Sequence, residues 1–387
     1  MDRQIPFGMV GGAGGFIGDV HRTAAGMDLR CRLTAGCFSR NPAANRQAGE
    51  RFSIAPDRLY SSYEEMARRE GDREDGIRFV SIVAPNAVHY GAAKAFLKAD
   101  IHVLCEKPLC YSLEEALELQ ALARSRGLLF GLAHAYTGYP MVRLARELVS
   151  RGDLGEIFQV QGEYVQEWML PRLTPSGEKA EAGEGQAART WRRETPEPGV
   201  PFLSSCVGDI GVHLENMIAY VTGLPIRRLS ARLDRLGQPL EVNGNILVEY
   251  ENGGTGSYWC SQVAAGYRNG LSFRLFGAKG SLEWRQESPE SLLVCIAGEA
   301  ARTCYRGSQP SSGAGAVRLP GGHPEGFYEA FANLYRGFLD ALAPLLQGMP
   351  PSEIPTDFPT IREGVRDVRF IRAALESSCG DGQWILM

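Results

Sequence analysis

Residues 6–21 read PFGMVGGAGGFIGDVH: a short apolar run, Pro6 to Val10, enters the glycines Gly11, Gly12, Gly14, Gly15 and Gly18. Helical periodicity begins at about Phe16, so the order is apolar run, glycine turn, helix, the opening of a βαβ unit. Glycine suits this turn because it lets a pyrophosphate approach the backbone, while the helix N-terminus supplies N–H groups and a favourable dipole. The loop runs about two residues longer than G-x-G-x-x-G. Gly12, Gly14, Gly15, Phe16 and Ile17 are its candidate cofactor contacts.

The same alternation continues outward. Leu33 to Phe38 reads as a second strand ending at Ser39-Arg40, the place where such a unit reads the adenosine ribose. A hydroxyl and a cation there, instead of a carboxylate, suit NADP better than NAD; a solvated Arg in a turn is the other reading. Phe79 to Val83 precedes Ala84-Pro85-Asn86 and a helix carrying Ala92, Ala93, Phe96 and Leu97. Ile101 to Cys105 leads into Glu106-Lys107-Pro108, a helix from Leu113 to Arg126 follows, and a strand spans Leu128 to Ala133. Strands alternating with helices of this length predict a doubly wound parallel Rossmann sheet over residues 1–134. Ligands of such sheets lie beyond the carboxyl ends of the strands, which directs Pro85, Asn86, Glu106 and Lys107 at a cofactor.

Past His134 the texture changes. A helix from Pro140 to Ser150 leads to Gly152-Asp153-Leu154-Gly155 and a longer strand, Ile157 to Trp168, with a period-2 component. Further strands at Ile246 to Tyr250, Gly256 to Gln262, Leu271 to Phe276 and Ser281 to Arg285 follow one another through short Gly- and Asn-containing turns. Such an order predicts an α+β domain over residues 135–387 with one large, mostly antiparallel open sheet. Helices cover one face, and the other is broad enough for a homo-oligomer interface, dimer or tetramer. Helices from about residue 325 are expected to pack back on the first domain. The polar stretch Thr174 to Arg189 reads as a mobile surface loop near a substrate mouth.

At 387 residues the chain exceeds one ordinary core, which agrees with two domains. A formal charge of −4 gives no footprint for nucleic acid or an anionic membrane, and Arg227, Arg228, Arg232 and Arg235 read as a solvated face. No apolar run approaches a membrane span, and the N-terminus lacks the pattern of a signal peptide. The nine cysteines are scattered without C-x-x-C spacing, as reduced thiols in the cytoplasm would be. His21, His89, His102 and His134 have no metal-ligand spacing, so no metal is expected.

Three stations then carry a resemblance. They are the glycine loop running into Gly18-Asp19-Val20-His21; Ala84-Pro85-Asn86-Ala87-Val88-His89 leading to His102-Val103-Leu104-Cys105-Glu106-Lys107-Pro108; and Trp191-Arg192 leading to Gly208-Asp209-Ile210-Gly211-Val212-His213. In this order they resemble the glucose–fructose oxidoreductase / inositol dehydrogenase / rhizopine-catabolism (Gfo/Idh/MocA) family, from residue 5 to about 285 and more loosely beyond. Asn216 departs from the pattern, standing where many members carry Asp.

Asp209 and His213 are four residues apart and share one face if the segment to Tyr220 is helical. Transfer of a hydride from an alcohol needs a group to take the hydroxyl proton, and histidine titrates in the right range. The resemblance implies the same roles: His213 as general base, Asp209 orienting it or holding substrate, and Lys107 on the reacting oxygen. It also implies that His89 joins the cofactor contacts. Tyr136, Trp191 and Arg192 are candidate substrate contacts, and Tyr136 with Tyr139 serves packing equally well. The chain therefore reads as an NAD- or NADP-dependent oxidoreductase acting on a sugar, glycoside or polyol carbinol. Redox-neutral cleavage of a glycoside and a non-catalytic cofactor-binding regulator are the alternatives.

Overall fold

In the structure, a computed structural model, residues 4–173, 204–308 and 315–387 are described. Ile5–Gly11 forms β1, Phe16–Gly26 α1, Cys31–Cys37 β2, Pro42–Arg51 α2, Tyr63–Gly71 α3 and Phe79–Val83 β3. Asn86–Lys98 (α4), His102–Cys105 (β4), Leu113–Ser125 (α5) and Phe130–Leu132 (β5) complete this part. Every residue of β3, β4 and β5 is buried, as expected of strands covered on both faces. That is why they read as mostly apolar runs, interrupted by Ser81 and His102. The strands pair in parallel, in the order β2-β1-β3-β4-β5. The chain therefore reverses direction across the sheet between β1 and β3. The glycine turn and Pro85 lie just past the carboxyl ends of those two strands, at the switch point where open α/β sheets bind ligands.

After Pro140–Ser150 (α6), Ile157–Val165 (β6) and Val212–Thr222 (α7) come β7 (Ile226–Asp234), β8 (Asn243–Tyr250), β9 (Thr255–Ser261), β10 (Gly270–Gly277) and β11 (Gly280–Arg285). β12 (Ser291–Ile296), β13 (Arg302–Tyr305), the helices α8 (Phe327–Leu346) and α9 (Ile361–Cys379), and β14 (Ile385–Leu386) follow. Among the described residues these strands form a nine-stranded sheet, ordered β13-β12-β11-β10-β6-β9-β8-β7-β14. β6 pairs in parallel with β9, and every other pairing is antiparallel. One sheet face packs Val160, Tyr164, Ile246, Leu271 and Phe273 into a core with Leu144 and Leu148 of α6 and Leu214 and Ile218 of α7. Gly162 makes this approach possible, since a Cβ there would stand 2.7 Å from the Leu214 side chain and 2.8 Å from that of Ile218. The opposite face leaves Phe158, Leu247 and Leu293 exposed and holds a groove of about 330 Å³ bordered by Glu163, Trp259 and Arg274.

β7, β12, β13 and β14 are additions to the strands read from the sequence. In β7 the Arg-rich run alternates with buried Leu229 and Ala231, and Arg228 makes two 2.7 Å contacts to Glu249. The chain divides into two compact units, Met1–Ala135 with Phe331–Val368 and Tyr136–Ala330 with Arg369–Met387. No helix of the described residues is long and apolar enough to cross a membrane. The nine cysteines are free.

Candidate active site

In the first unit the glycine turn has a clear division of labour. Gly11, Gly12 and Gly15 adopt φ of 82°, 76° and 84°, where a side chain would be strained. Gly18 packs against the turn so closely that a Cβ would lie 2.7 Å from the Gly12 Cα and 2.8 Å from its carbonyl oxygen. Gly14 and Gly15, by contrast, face open space just before the α1 N-terminus. Room beside bare backbone at a helix N-terminus fits the pyrophosphate of a dinucleotide. Phe16 begins the helix and is largely exposed, with Ile17 following it. Arg22, which sequence reading passed over, braces the turn: its Nη1 donates to the Gly12 carbonyl at 2.6 Å and its guanidinium lies 3.9 Å from the Phe52 ring centre.

Past β2, Asn45 Oδ1 accepts the Phe38 and Ser39 N–H groups at 2.8 and 3.3 Å, and Ser39 Oγ accepts from Asn41 at 3.1 Å. Arg40 is exposed. Pro85 is the residue before α4 and Asn86 opens it.

Beyond β4, Glu106 is nearly buried and belongs to a chain of polar groups. Glu106 Oε1 meets His21 Nε2 at 2.8 Å, His21 Nδ1 meets the Tyr335 hydroxyl at 2.8 Å, and that hydroxyl meets Ser81 Oγ at 2.8 Å. Burial pushes the Glu106 carboxyl up, but the His21 hydrogen bond and the charges of His21 and Lys107 outweigh it and hold the group below its ordinary value. Glu106 Oε2 also accepts the Lys107 backbone N–H at 3.1 Å, so the carboxylate fixes the backbone that carries the half-buried Lys107. His89 is fully buried, and its ring nitrogens lie 2.8 Å from the Pro108 carbonyl and 2.9 Å from that of Ala84. Both carbonyls only accept, so the single N–H of the neutral ring donates to one of them at a time, and the residue sits between the Lys107-Pro108 turn and the end of β3. Burial lowers its pKa and keeps it neutral.

In the second unit Val207–Gly211 forms a π-helical turn that runs into α7. Such turns widen a helix locally and recur at functional sites. Glu241 anchors this one: its Oε1 accepts the Val207 N–H at 3.2 Å and the Ser204 hydroxyl, and its backbone oxygen accepts from Cys206 at 3.1 Å. Asp209 is 6% exposed. Its Oδ2 accepts from Gln262 Nε2 at 3.3 Å, and Gln262 Oε1 in turn accepts from Ser205 Oγ at 2.8 Å. A carboxylate only accepts, so the amide nitrogen of Gln262 faces Asp209 and its oxygen is left for Ser205.

Four residues on, His213 is half-buried where its neighbours from Val207 to Val212 are buried. The ring of Tyr136 meets its imidazole edge-on, with centres 4.8 Å apart and planes at 86°; the Tyr164 ring centre is 6.1 Å away. Asn216, one turn further along α7, is 1% exposed, and neither of its amide atoms has a hydrogen-bond partner among the described residues. Tyr139 is occupied by packing against Trp284, 5.5 Å between ring centres. Trp191, Arg192 and the stretch Thr174 to Arg189 lie outside the described residues. His323 is exposed, whereas Glu325 is buried against Arg306 at 2.9 Å, which makes that segment a pinned strap. Among the described residues no three His, Cys, Asp or Glu side chains gather as a metal site.

Both units have known relatives. The profile of an oxidoreductase family with an NAD-binding Rossmann fold (GFO_IDH_MocA) matches residues 5–134, and that of the GFO/IDH/MocA C-terminal domain matches residues 142–283. YfiI of Bacillus subtilis (strain 168), an uncharacterized oxidoreductase, is 32% identical over 100% of this chain and 97% of its own length. Levoglucosan dehydrogenase of Pseudarthrobacter phenanthrenivorans is 26% identical over 82% of this chain and 84% of its own. The crystal structure of an inositol dehydrogenase homolog from Azotobacter vinelandii, complexed with NADH and myo-inositol, superposes with a TM-score of 0.88 at 32% identity, covering 100% of this chain and 98% of that one.

Proposed function

Because the chain belongs to the Gfo/Idh/MocA family of NAD-binding oxidoreductases, we propose that it is a dehydrogenase oxidising a ring carbinol of a cyclic polyol or sugar. The observation that carries this reading is the half-buried His213 imidazole, four residues past Asp209 and flanked by the Tyr136 and Tyr164 rings, a group of the type that takes a hydroxyl proton. The relatives that act on levoglucosan or hold myo-inositol support the substrate class.

In this reading the cofactor, when bound, supplies the nicotinamide carbon that takes the hydride. Gly12, Gly14, Gly15, Phe16 and Ile17 hold its pyrophosphate, and Pro85 and Asn86 line the adjoining strand end. His213 takes the hydroxyl proton as the carbinol C–H bond breaks. Asp209, ionised and aligned by Gln262, favours the imidazolium that results. Lys107 donates a hydrogen bond to the reacting oxygen and stabilises the charge that develops there. Glu106 and His89 hold the Lys107 turn in place. Tyr136, with Trp191 and Arg192, completes the substrate contacts. NAD is the cofactor of the family; Ser39 and Arg40 add a hydroxyl and a cation at the ribose position, which extends the reading to NADP. A homo-oligomer formed through the open sheet face belongs to the same proposal.

The test mixes protein with NAD or NADP and a panel of inositols, free aldoses and glucosides, and follows the absorbance of reduced nicotinamide. A rise with an inositol or aldose is the expected result. Demonstrable cofactor binding with no rise for any pair would refute the dehydrogenase and favour redox-neutral glycoside cleavage or a regulator.

A further inference from the structure

The polar groups beside His213 form one directional chain. Asn269 Nδ2 donates to Gln286 Oε1 at 3.2 Å, which turns Asn269 Oδ1 toward Tyr164 and Gln166. That oxygen accepts from the Tyr164 hydroxyl at 2.8 Å and from Gln166 Nε2 at 2.7 Å. The single proton of the Tyr164 phenol is thereby committed to Asn269. The 2.6 Å contact between the two phenol oxygens must then be filled by the Tyr136 proton, so Tyr136 donates and Tyr164 accepts. Whatever else meets the Tyr136 oxygen has to donate to it. Both phenols are nearly buried, at 6% and 3% exposure, and their rings flank the His213 imidazole. An aromatic ring anchored at its hydroxyl cannot swing; one deprived of the anchor keeps its volume but loses its fixed angle.

We infer that Tyr136, Tyr164 and Asn269 act as one positioning unit for His213, holding the imidazole plane through the Tyr136 ring. None of the three needs to exchange a proton with substrate for this role. Tyr164 and Asn269 are positioning residues, and Tyr136, also a proposed substrate contact, transmits their hold to His213 through its ring. The unit spans about 130 positions of sequence, from the turn after β5 through β6 to the turn before β10, so it has no local motif. It rests on the assignment of His213 as the base, and it adds the residues that aim that base.

The test is a mutant cycle of Tyr136→Phe, Tyr164→Phe and the double variant, each keeping the ring and removing a hydroxyl. Two readouts are taken: kcat with NAD and myo-inositol, and the Hε1 resonance of His213, identified by its loss in His213→Gln. Both variants break the Tyr136–Tyr164 bond and Tyr164→Phe also breaks that to Asn269, so Tyr136→Phe should lower kcat by about five- to tenfold, the size of one hydrogen bond of about 1–1.4 kcal/mol, Tyr164→Phe by at least as much, and both should shift the resonance. The double variant should fall within about twofold of the worse single, because groups acting as a unit are not additive. NADH affinity should not change. Losses that multiply, or phenylalanine variants that leave both kcat and the resonance unmoved, would overturn the proposal. If the wild-type protein oxidises no inositol or aldose, the assignment of the base falls, while the resonance arm still decides whether the three residues position His213.

Discussion

Gln262→Glu is the most informative single change in the site, because it alters charge at one contact while keeping shape. Gln262 Nε2 lies 3.3 Å from Asp209 Oδ2. Replacing the amide nitrogen by a carboxylate oxygen sets two negative charges at that distance. With an effective dielectric of about 20 the repulsion is about 5 kcal/mol, equivalent to more than about three pH units of proton affinity. The pair therefore retains one proton through neutrality and titrates as a dyad. Ser205 can still donate to the new side chain, so packing is preserved. While the shared proton is present, Asp209 offers less than a full charge to the imidazolium proposed at His213, and kcat should fall by about tenfold, the loss of about 1.4 kcal/mol of charge stabilisation. The assay is NADH formation against pH for the wild type, Gln262→Glu and Gln262→Leu. The Glu variant should be weakest at neutral and acidic pH and recover as the shared proton leaves at alkaline pH. The Leu variant should show a deficit that does not vary with pH in this way. Parallel profiles for the two variants, or full activity of the Glu variant at neutrality, would refute the role given to Gln262 and the charge state given to Asp209.

His213→Gln should lower kcat by about 10²–10⁴-fold with NADH affinity unchanged, measured by turnover and by cofactor titration; equal loss of both would mean a structural role. Gly18→Ala places a Cβ 2.7 Å from the Gly12 Cα, so both melting temperature and NADH affinity should fall, whereas Gly14→Ala enters open space and should weaken NADH binding with stability intact. His102 is held neutral, its pKa lowered to about 4 by burial, while its Nδ1 accepts the Leu129 N–H at 2.8 Å. The unfolded chain takes up this proton near 6.5, so the stability is complete above that value and is lost as pH falls from there toward about 4, by about 3 kcal/mol. Urea unfolding at pH 7.5 and about 4.5 should show this loss in the wild type and a smaller one in His102→Gln.

What the amino-acid order discloses here depends on how local the physics is. β3 and β4 were legible because burial on both faces demands consecutive apolar residues, and the glycine turn because positive φ and close approach demand Gly at set positions. The pairing of Asp209 with His213 was proposed from a four-residue helical spacing, and the structure sets Asp209 in a π-helical turn that runs into the helix carrying His213. β7 was hidden because its outward positions carry arginines whose charge masks the buried Leu229 and Ala231 between them. The partners that orient the site were hidden for a deeper reason. Gln262, Tyr164 and Asn269 sit at strand ends and turns far apart in sequence, and each is an ordinary polar residue until sheet register places it. The register joining β6 to both β9 and β10 sets Tyr164 against Cys260 on one side and Leu271 on the other. Shift either pairing by one residue, and the side chains that meet His213 change face. In this reading the reacting groups come from short-range patterns, whereas the angle at which they are held comes from long-range pairing. Substitutions at Tyr164, Gln262 and Asn269, far from position 213 in sequence, should therefore change catalytic rate with little change in cofactor affinity.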